Sequence, residues 1–242
     1  MKIVVIVPTY NEANTIVSLI EALEAECRRI PRHAVMILVV DGNSPDGTAG
    51  RVRLMMEKYG NLRLVSEREK GGLGCAYIAG ITHAVRELHA DAYIEFDGDF
   101  QHDPKDVVRL IQEFENGYDY VIGSRYVAGG SVPREWSWHR KLLSRYGSRF
   151  IKVMLALPTS DNTSGLKLSR VRGFAEKLPL DPERILSRRH AYKIHLLREM
   201  VKLGARVKEI PIAFLPRKSG DSKSTFEDII ESLRVVAKLR RR

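Results

Sequence analysis

Cysteine is nearly absent: Cys27 and Cys75 are the only two in 242 residues. They stand far apart, without a CxxC or Cys/His pattern, so neither a disulfide framework nor a thiolate metal site is expected, and a reduced, cytoplasmic setting follows. No uncharged apolar run approaches the roughly 18 residues needed to span a bilayer. The longest runs, around residues 3–7 and 35–40, have strand length. The start, Met1-Lys2-Ile3-Val4-Val5, enters such a run directly, without a basic leader and cleavage site, so no secretory signal is expected. Repeats, low-complexity tracts and long linkers are also missing. No GxxxxGK[ST] occurs, which excludes a P-loop NTPase.

What is present suits a folded enzyme. Hydrophobic residues make 44% and charged residues 29%, enough for a sizeable core. Forty Lys and Arg against 30 Asp and Glu give a net charge of +10, which favours anionic partners such as nucleic acid, acidic lipid or phosphorylated substrates. No nucleic-acid motif or aromatic–basic interleaving accompanies the charge, so nucleic acid is not an expected partner. The excess gathers at Arg184, Arg188 and Arg189 and at Lys238-Leu239-Arg240-Arg241-Arg242.

Apolar runs alternate with helical periodicity. Strands are predicted at 3–7, 35–40, Leu62–Ser66, 92–96 and 120–123, and helices at 13–29, 48–59, 73–88 and 104–116. Ile16, Leu19, Ile20 and Leu23 fall on one helical face, and Pro104 opens the fourth helix. This order, with strands apolar on both faces, predicts an α/β fold with a mostly parallel sheet and helices on both sides. Residues 124–145 read as a loop-rich segment, 148–157 as a helix, 205–215 as one or two late strands, and Phe226–Arg240 as a terminal amphipathic helix. The organisation expected is one domain over 1–224 with a C-terminal basic helix over 225–242.

Ligands of such sheets bind beyond the carboxyl ends of the strands. The first such loop, Pro8-Thr9-Tyr10-Asn11-Glu12, lacks the glycine turn of dinucleotide binders. Pro8 ends the strand, Tyr10 offers a flat face for a base, and Glu12 can accept from a ribose or base; a capped helix entry is the plainer alternative. The second, Asp41-Gly42-Asn43-Ser44-Pro45-Asp46-Gly47-Thr48, puts a carboxylate at a strand end, either for a nucleobase or as a turn brace. The third, Asp97-Gly98-Asp99-Phe100-Gln101-His102-Asp103-Pro104, is the sharpest. Were it extended, alternate residues Asp97, Asp99 and Gln101 would converge on a hard cation such as Mg²⁺ or Mn²⁺. His102 reads as a loop residue rather than a ligand. Gly71-Gly72-Leu73-Gly74 permits close backbone approach to a ligand or a helix, and Arg125 stands at the fourth strand end, where it could clamp a phosphate.

At these residues the sequence resembles the family 2 glycosyltransferases, the dolichyl-phosphate mannose synthases most of all. The resemblance runs through Pro8–Glu12, Ser44–Thr48, Gly72–Gly80, the Asp97-x-Asp99 motif with Gln101, Gly123–Val132, Arg140, Ser144, Thr163-Ser164-Gly165, Pro211–Phe214, Arg217, Ser222 and Lys223. It implies a GT-A fold, a nucleotide-sugar donor (GDP-mannose, with UDP-glucose as the alternative), Mg²⁺ or Mn²⁺, and a dolichyl or other polyprenyl phosphate acceptor. Carried over, Pro8, Tyr10, Glu12, Val40 and Asp41 would hold the nucleoside. Asp97, Gly98 and Asp99 would line the sugar and diphosphate, and Asp97, Asp99 and Gln101 would bind metal. Arg125, Arg140 and Ser144 would receive the acceptor phosphate, and Arg217 and Lys223 would close over the diphosphate. Asp97, Asp99 and Arg125 are the expected catalytic set. The pattern is broken at Gly42, where the family has a second acid, and over Tyr192-Lys193-Ile194-His195-Leu196-Leu197. With no span of its own and a lipid acceptor, the chain is expected to sit peripherally on the cytoplasmic face of a membrane, or on a separate membrane partner, through its C-terminal helix.

Overall fold

The computed structural model describes residues 1–181, 183–217 and 226–241. Seven strands form one sheet in the order β3-β2-β1-β4-β6-β5-β7. They are β1 (Lys2–Thr9), β2 (Ala34–Asp41), β3 (Leu62–Ser66), β4 (Ala92–Glu95), β5 (Tyr120–Ser124), β6 (Lys167–Arg170) and β7 (Val207–Pro211). β6 alone runs antiparallel, between β4 and β5. The helices described are α1 (Ile16–Cys27), α2 (Thr48–Lys58), α3 (Leu73–Arg86), α4 (Lys105–Glu115), α5 (Trp138–Leu155), α6 (Tyr192–Lys202) and α7 (Phe226–Arg240).

The period of two along a strand divides the core. Ile3, Val5 and Val7 of β1 face α1, α2 and α4, where Leu19, Val52 and Leu110 are fully buried. Val4 and Ile6 face α3, α6 and the inner edges of α5 and α7. Both sheet faces are therefore covered, as a parallel sheet requires. Register places the strand ends together: Thr9 pairs with Asp41 and Ile6 with Glu95, so the loops after β1, β2 and β4 emerge on one edge.

Several expectations are corrected. Pro8 does not end β1; it pairs with Val40, and the strand runs to Thr9. Residues 124–145 are not all loop: α5 begins at Trp138, where the Ser137 hydroxyl accepts from the Arg140 N–H. β6 escapes hydropathy because its four residues, Lys-Leu-Ser-Arg, carry polar groups into a central position. α6 covers the stretch that departs from the family pattern. The apolar face expected on α7 (Phe226, Ile229, Ile230, Leu233, Val236, Ala237) is rotated: Asp228, Val235, Val236 and Leu239 are buried, while Leu233 and Ala237 are exposed. Packing against α5 and α6 selects that face, and the Asp228 carboxylate is drawn in by Arg189 Nε at 2.8 Å.

Candidate active site

A cavity of about 790 Å³ opens at the carboxyl edge of the sheet. Pro8, Tyr10, Glu12, Asp97, Gly98, Asp99, Gln101, Arg125, Arg140, Ser144 and Arg217 all border it, so residues scattered over 200 positions share one wall system. Val40 and Asp41 do not line it. Val40 is core, and Asp41 is 1% exposed with its carboxylate engaged: Oδ1 accepts from Thr9 Oγ1 and Ser44 Oγ, and Oδ2 from the Ser44 N–H. Lys223 lies outside the described residues.

The first loop is stitched to the second. Asp46 accepts from the Ala13 and Thr48 N–H groups, and the Glu12 N–H donates to Thr48 Oγ1. These bonds hold Glu12 and Tyr10 at the cavity rim. The Lys70 ammonium lies 3.9 Å from the Tyr10 ring centroid, over one face of the ring. At Gly42, where the family has its second acid, an added Cβ would stand 3.5 Å from Glu67 Oε2. Glu67 lines the cavity, and burial, followed by the charge of Asp41, raises its pKa. A carboxylate thus reaches the gap from β3's end.

The Asp97–His102 segment is not extended. It turns at Gly98 and Asp99, and Phe100 takes φ 60. Asp97, Asp99 and Gln101 still border the same cavity, brought there by the turn and not by strand alternation. Asp97 Oδ1 accepts from Tyr77 Oη at 2.7 Å, while Oδ2 has Lys193 Nζ at 3.4 Å and His102 Nε2 at 3.6 Å. Burial alone would raise its pKa; the Lys193 ammonium and His102 instead hold it well below the usual carboxylate range. Gly165 makes this possible, because a Cβ there would overlap Asp97 Oδ2. His102 is buried between the Phe96 and Phe214 rings.

Asp99 Oδ1 accepts from the Gln101 N–H, and Oδ2 accepts from Arg217 Nη2 at 2.7 Å. Gln101 Nε2 donates to the Leu215 carbonyl, and the Leu215 N–H donates back to the Gln101 carbonyl, which ties the metal-motif loop to the late segment. Among the described residues no three His, Cys, Asp or Glu side chains converge as a metal cluster. The wall offers two carboxylates and an amide oxygen. That incomplete oxygen set fits Mg²⁺ or Mn²⁺, which keep waters and share their coordination with substrate phosphates.

Cations line the same cavity. Arg125 is buried and its bidentate edge is closed: Nε and Nη2 donate to Asp161 at 2.7 Å each, and Nη2 also to Thr163 Oγ1. A phosphate can meet Arg125 only through Nη1, not through the expected bidentate clamp. Burial lowers the Arg125 pKa, but the Asp161 carboxylate overcomes this and raises it. Arg140 stacks over Trp136 at 4.1 Å; burial and then the Arg217 charge lower its pKa. Ser144 Oγ shares a 2.5 Å hydrogen bond with Tyr126 Oη. Beyond these cations the cavity becomes apolar, with Leu143, Phe150 and Ile151 of α5 facing Ile229, Leu233 and Val236 of α7.

Sequence reading missed Lys193, Glu67, Tyr77 and the brace at 188–190. Lys193 lies in the stretch that departs from the family pattern, which was the available signal. The glycine run at 71–74 packs on chain while Gly71 and Gly72 also border the cavity: the Arg188 carbonyl accepts from the Gly74 N–H, and a Cβ on Gly72 or Gly74 would come within 2.8 Å of it.

The fold is that of the GT-A glycosyltransferases. It superimposes on mannosyl-3-phosphoglycerate synthase from Rubrobacter xylanophilus with a TM-score of 0.67 at 18% identity, covering 98% of this chain and 73% of that one. A mannosyltransferase from Pyrobaculum calidifontis, solved with GDP-Man and Mn²⁺, gives 0.57 at 20% identity, over 98% and 69% of the two chains. The Glycosyl transferase family 2 pattern matches residues 4–176, and the chain belongs to that family. It is 33% identical over 237 residues to the polyprenol monophosphomannose synthase of Mycolicibacterium smegmatis, covering 98% of this chain and 86% of that protein. It is 35% identical over 227 residues to the undecaprenyl-phosphate mannosyltransferase of Micrococcus luteus (92% and 87%). The dolichol-phosphate mannosyltransferase of Pyrococcus furiosus is 32% identical over 245 residues, 99% of this chain and 64% of that protein. The chain is a glycosyltransferase.

Proposed function

We propose that this enzyme transfers mannose from GDP-mannose to dolichyl phosphate or another polyprenyl phosphate, with Mg²⁺ or Mn²⁺, at the cytoplasmic face of a membrane. The observation that carries this reading is the set of surfaces gathered in one cavity. Its lining joins Tyr10 and Glu12, the oxygen donors Asp97, Asp99 and Gln101, the cations Arg125, Arg140 and Arg217, and apolar side chains of α5 and α7. That combination suits a nucleotide sugar meeting a phosphate with a hydrocarbon tail. The named activities of the Mycolicibacterium and Micrococcus relatives support it, and the GDP-Man and Mn²⁺ bound by the Pyrobaculum neighbour support the donor and cation.

The chemistry requires no general base. A phosphate monoester is already anionic near neutral pH, its second pKa being about 6. Its oxygen attacks the anomeric carbon, the bond from that carbon to the diphosphate oxygen breaks, and the configuration inverts, so that an α-linked donor gives a β-linked lipid phosphate sugar. The obstacle is repulsion between two anions, roughly 4 kcal/mol at about 4 Å with an effective ε near 20. Arg140, Arg217 and the Nη1 side of Arg125 offset it, with Ser144 orienting the acceptor. Asp99 and Gln101, with Asp97, would hold the divalent ion, which when bound supplies positive charge to the departing diphosphate. Asp97, fixed by Tyr77 and Lys193, positions the sugar. Residues 1–224 form the transferase unit, and α7 completes its acceptor side.

The test incubates the protein with Mg²⁺ or Mn²⁺, a polyprenyl phosphate and a panel of nucleotide sugars, with lipid products read by mass spectrometry. A mannosylated lipid from GDP-mannose is expected. Turnover of UDP-glucose alone would reassign the donor, and no lipid product from any sugar would overturn the reading.

A further inference from the structure

Glu67 brings an unengaged carboxylate to the wall of the active-site cavity. It follows β3, whose last residue, Ser66, pairs with Asp41, and the Glu67 N–H donates to the Asp41 carbonyl at 2.8 Å. That bond fixes its backbone to the end of β2. Its side chain is half-buried and lies between two glycines. A Cβ on Gly42 would stand 3.5 Å from Oε2, and a Cβ on Gly71 would stand 3.7 Å from Oε1. The same Gly42 position is 3.6 Å from Tyr10 Cδ2, so the carboxylate and the Tyr10 ring flank one gap over the Gly42 backbone. Tyr10, Gly42, Glu67 and Gly71 all border the cavity.

The neighbouring acids are held by the protein itself. Asp41 accepts from Thr9 and Ser44, Asp46 from Ala13 and Thr48, and Glu12 from Thr15 Oγ1. Among the described residues the Glu67 carboxylate accepts no hydrogen bond and joins no ion pair. Lys70, three residues on, sits over the Tyr10 ring instead. Burial and then the charge of Asp41 raise the Glu67 pKa, and no donor or cation offsets either. An acid so placed, partly desolvated and with its acceptor capacity unfilled, is stabilised by a ligand that brings N–H donors. An acid at position 42, where the family has one, would set a second carboxylate against it; Gly42 removes that conflict.

We infer that Glu67 reads the nucleobase of the donor and selects guanine. The inference rests on the reading of the cavity as a nucleotide-sugar site. Guanine presents N1–H and its 2-amino group side by side on one edge, two donors matched to the two oxygens of one carboxylate. Uracil presents a single N–H between two carbonyl oxygens. A carboxylate facing that edge gains one bond and meets two like partial charges. Adenine and cytosine each offer one amino group beside an acceptor nitrogen. The carboxylate therefore discriminates by repulsion of the wrong edge as well as by attraction of the right one.

The experiment is calorimetric titration of the full chain, with Mg²⁺ present, by GDP, inosine diphosphate and UDP. Inosine keeps the N1–H of guanine and lacks the 2-amino group, so it counts the second bond by itself. Wild type is expected to bind GDP about tenfold or more tighter than inosine diphosphate, the weight of one charge-assisted bond, with UDP weakest. Glu67→Gln and Glu67→Ala lower GDP affinity and erase most of the preference, while UDP binds as before or better. The melting temperature of the nucleotide-free protein stays unchanged, because the carboxylate braces nothing. Variants that keep the wild-type preference for GDP would overturn the inference and leave the nucleotide-sugar reading standing. Equal loss of all three nucleotides would make Glu67 a brace of the rim and overturn it likewise. A wild type that prefers UDP, or binds the three alike, would overturn it together with the choice of GDP-mannose. A wild type that binds none of them would reject the cavity as a nucleotide site, and the inference with it.

Discussion

Arg217 closes on Asp99 across the cavity: its Nη2 donates to Oδ2 at 2.7 Å, joining residues 118 positions apart. The guanidinium therefore holds an oxygen that the proposed divalent cation would need. Under that reading cation and arginine would compete for Asp99 when no donor is present, and a bound diphosphate would give Arg217 a second place to go. Arg217→Ala should thus tighten Mn²⁺ binding to the donor-free protein, read by titration calorimetry, while turnover falls. Weaker Mn²⁺ binding in this variant would show that Arg217 supports the cation.

The same wall predicts a large loss for Asp99→Asn. The substitution removes an anionic ligand from a loop, so turnover should drop by orders of magnitude with the melting temperature nearly unchanged. Excess chelator should do likewise to the wild type. Full turnover in chelator would end the metal assignment.

Arg125 and Arg140 border the same cavity but should fail differently. Arg140 is stacked and outward, and a charge-assisted phosphate bond is worth roughly 1.5–3 kcal/mol. Arg140→Ala should raise the acceptor KM about tenfold or more and leave donor affinity alone. Arg125→Ala leaves Asp161, which is fully buried, without its cationic partner and with only backbone N–H donors such as those of residues 125 and 163. Breaking such a pair costs about 3–5 kcal/mol, so this variant should unfold early. Equal melting temperatures for the two variants would contradict this division.

How much of this was legible in the sequence follows from the range of the forces involved. β1, β2, β3 and the helices between them were readable because their apolar periodicity is local. The acidic loops at the strand ends followed from topology and resemblance. β6 was not readable, because Lys167 and Ser169 are buried by partners that only the fold supplies. The start of α5 was hidden because only Ser148, Ile151 and Leu155 of this helix are buried and most of its apolar side chains are exposed, so its apolar residues do not mark a core face. Neither Asp161 at Arg125 nor Lys193 at Asp97 has any local signature; both are pairings across more than 30 residues.

Gly42 and Glu67 form a testable exchange. Donor binding should depend on one carboxylate near the rim, supplied here from residue 67. Glu67→Ala should raise the donor KM about tenfold without changing the acceptor KM. Gly42→Asp combined with Glu67→Ala should recover most of that loss, since a Cβ at 42 meets only ordinary contacts. No recovery in the double variant would mean that Glu67 braces the rim and does not contact the donor.

Lys167 makes stability depend on alkaline pH. It is fully buried in β6, its Nζ donating to the Lys193 carbonyl at 3.5 Å. Burial pushes its pKa down to about 8 from 10.5, with Glu95 opposing that shift and Lys193 adding to it. Below pH 8 the folded protein carries a buried ammonium, and its cost is present in full. Between about 8 and 10.5 the folded chain releases a proton that the unfolded chain keeps, so the unfolded state binds more protons and stability rises with pH. The gain across this window is of the order of 3 kcal/mol, at about 1.4 kcal/mol per pKa unit. Lys167→Met removes the titration. It also deprives Glu95 of a neighbouring cation, but that carboxylate keeps the Tyr192 hydroxyl at 2.6 Å. Urea unfolding of both proteins at several pH values from 7.5 to 10.5 separates the effects. The wild-type stability minus that of the methionine variant should climb steadily through the window, whatever its starting value. A difference that stays level with pH would mean that Lys167 keeps its proton in the fold, held by Glu95.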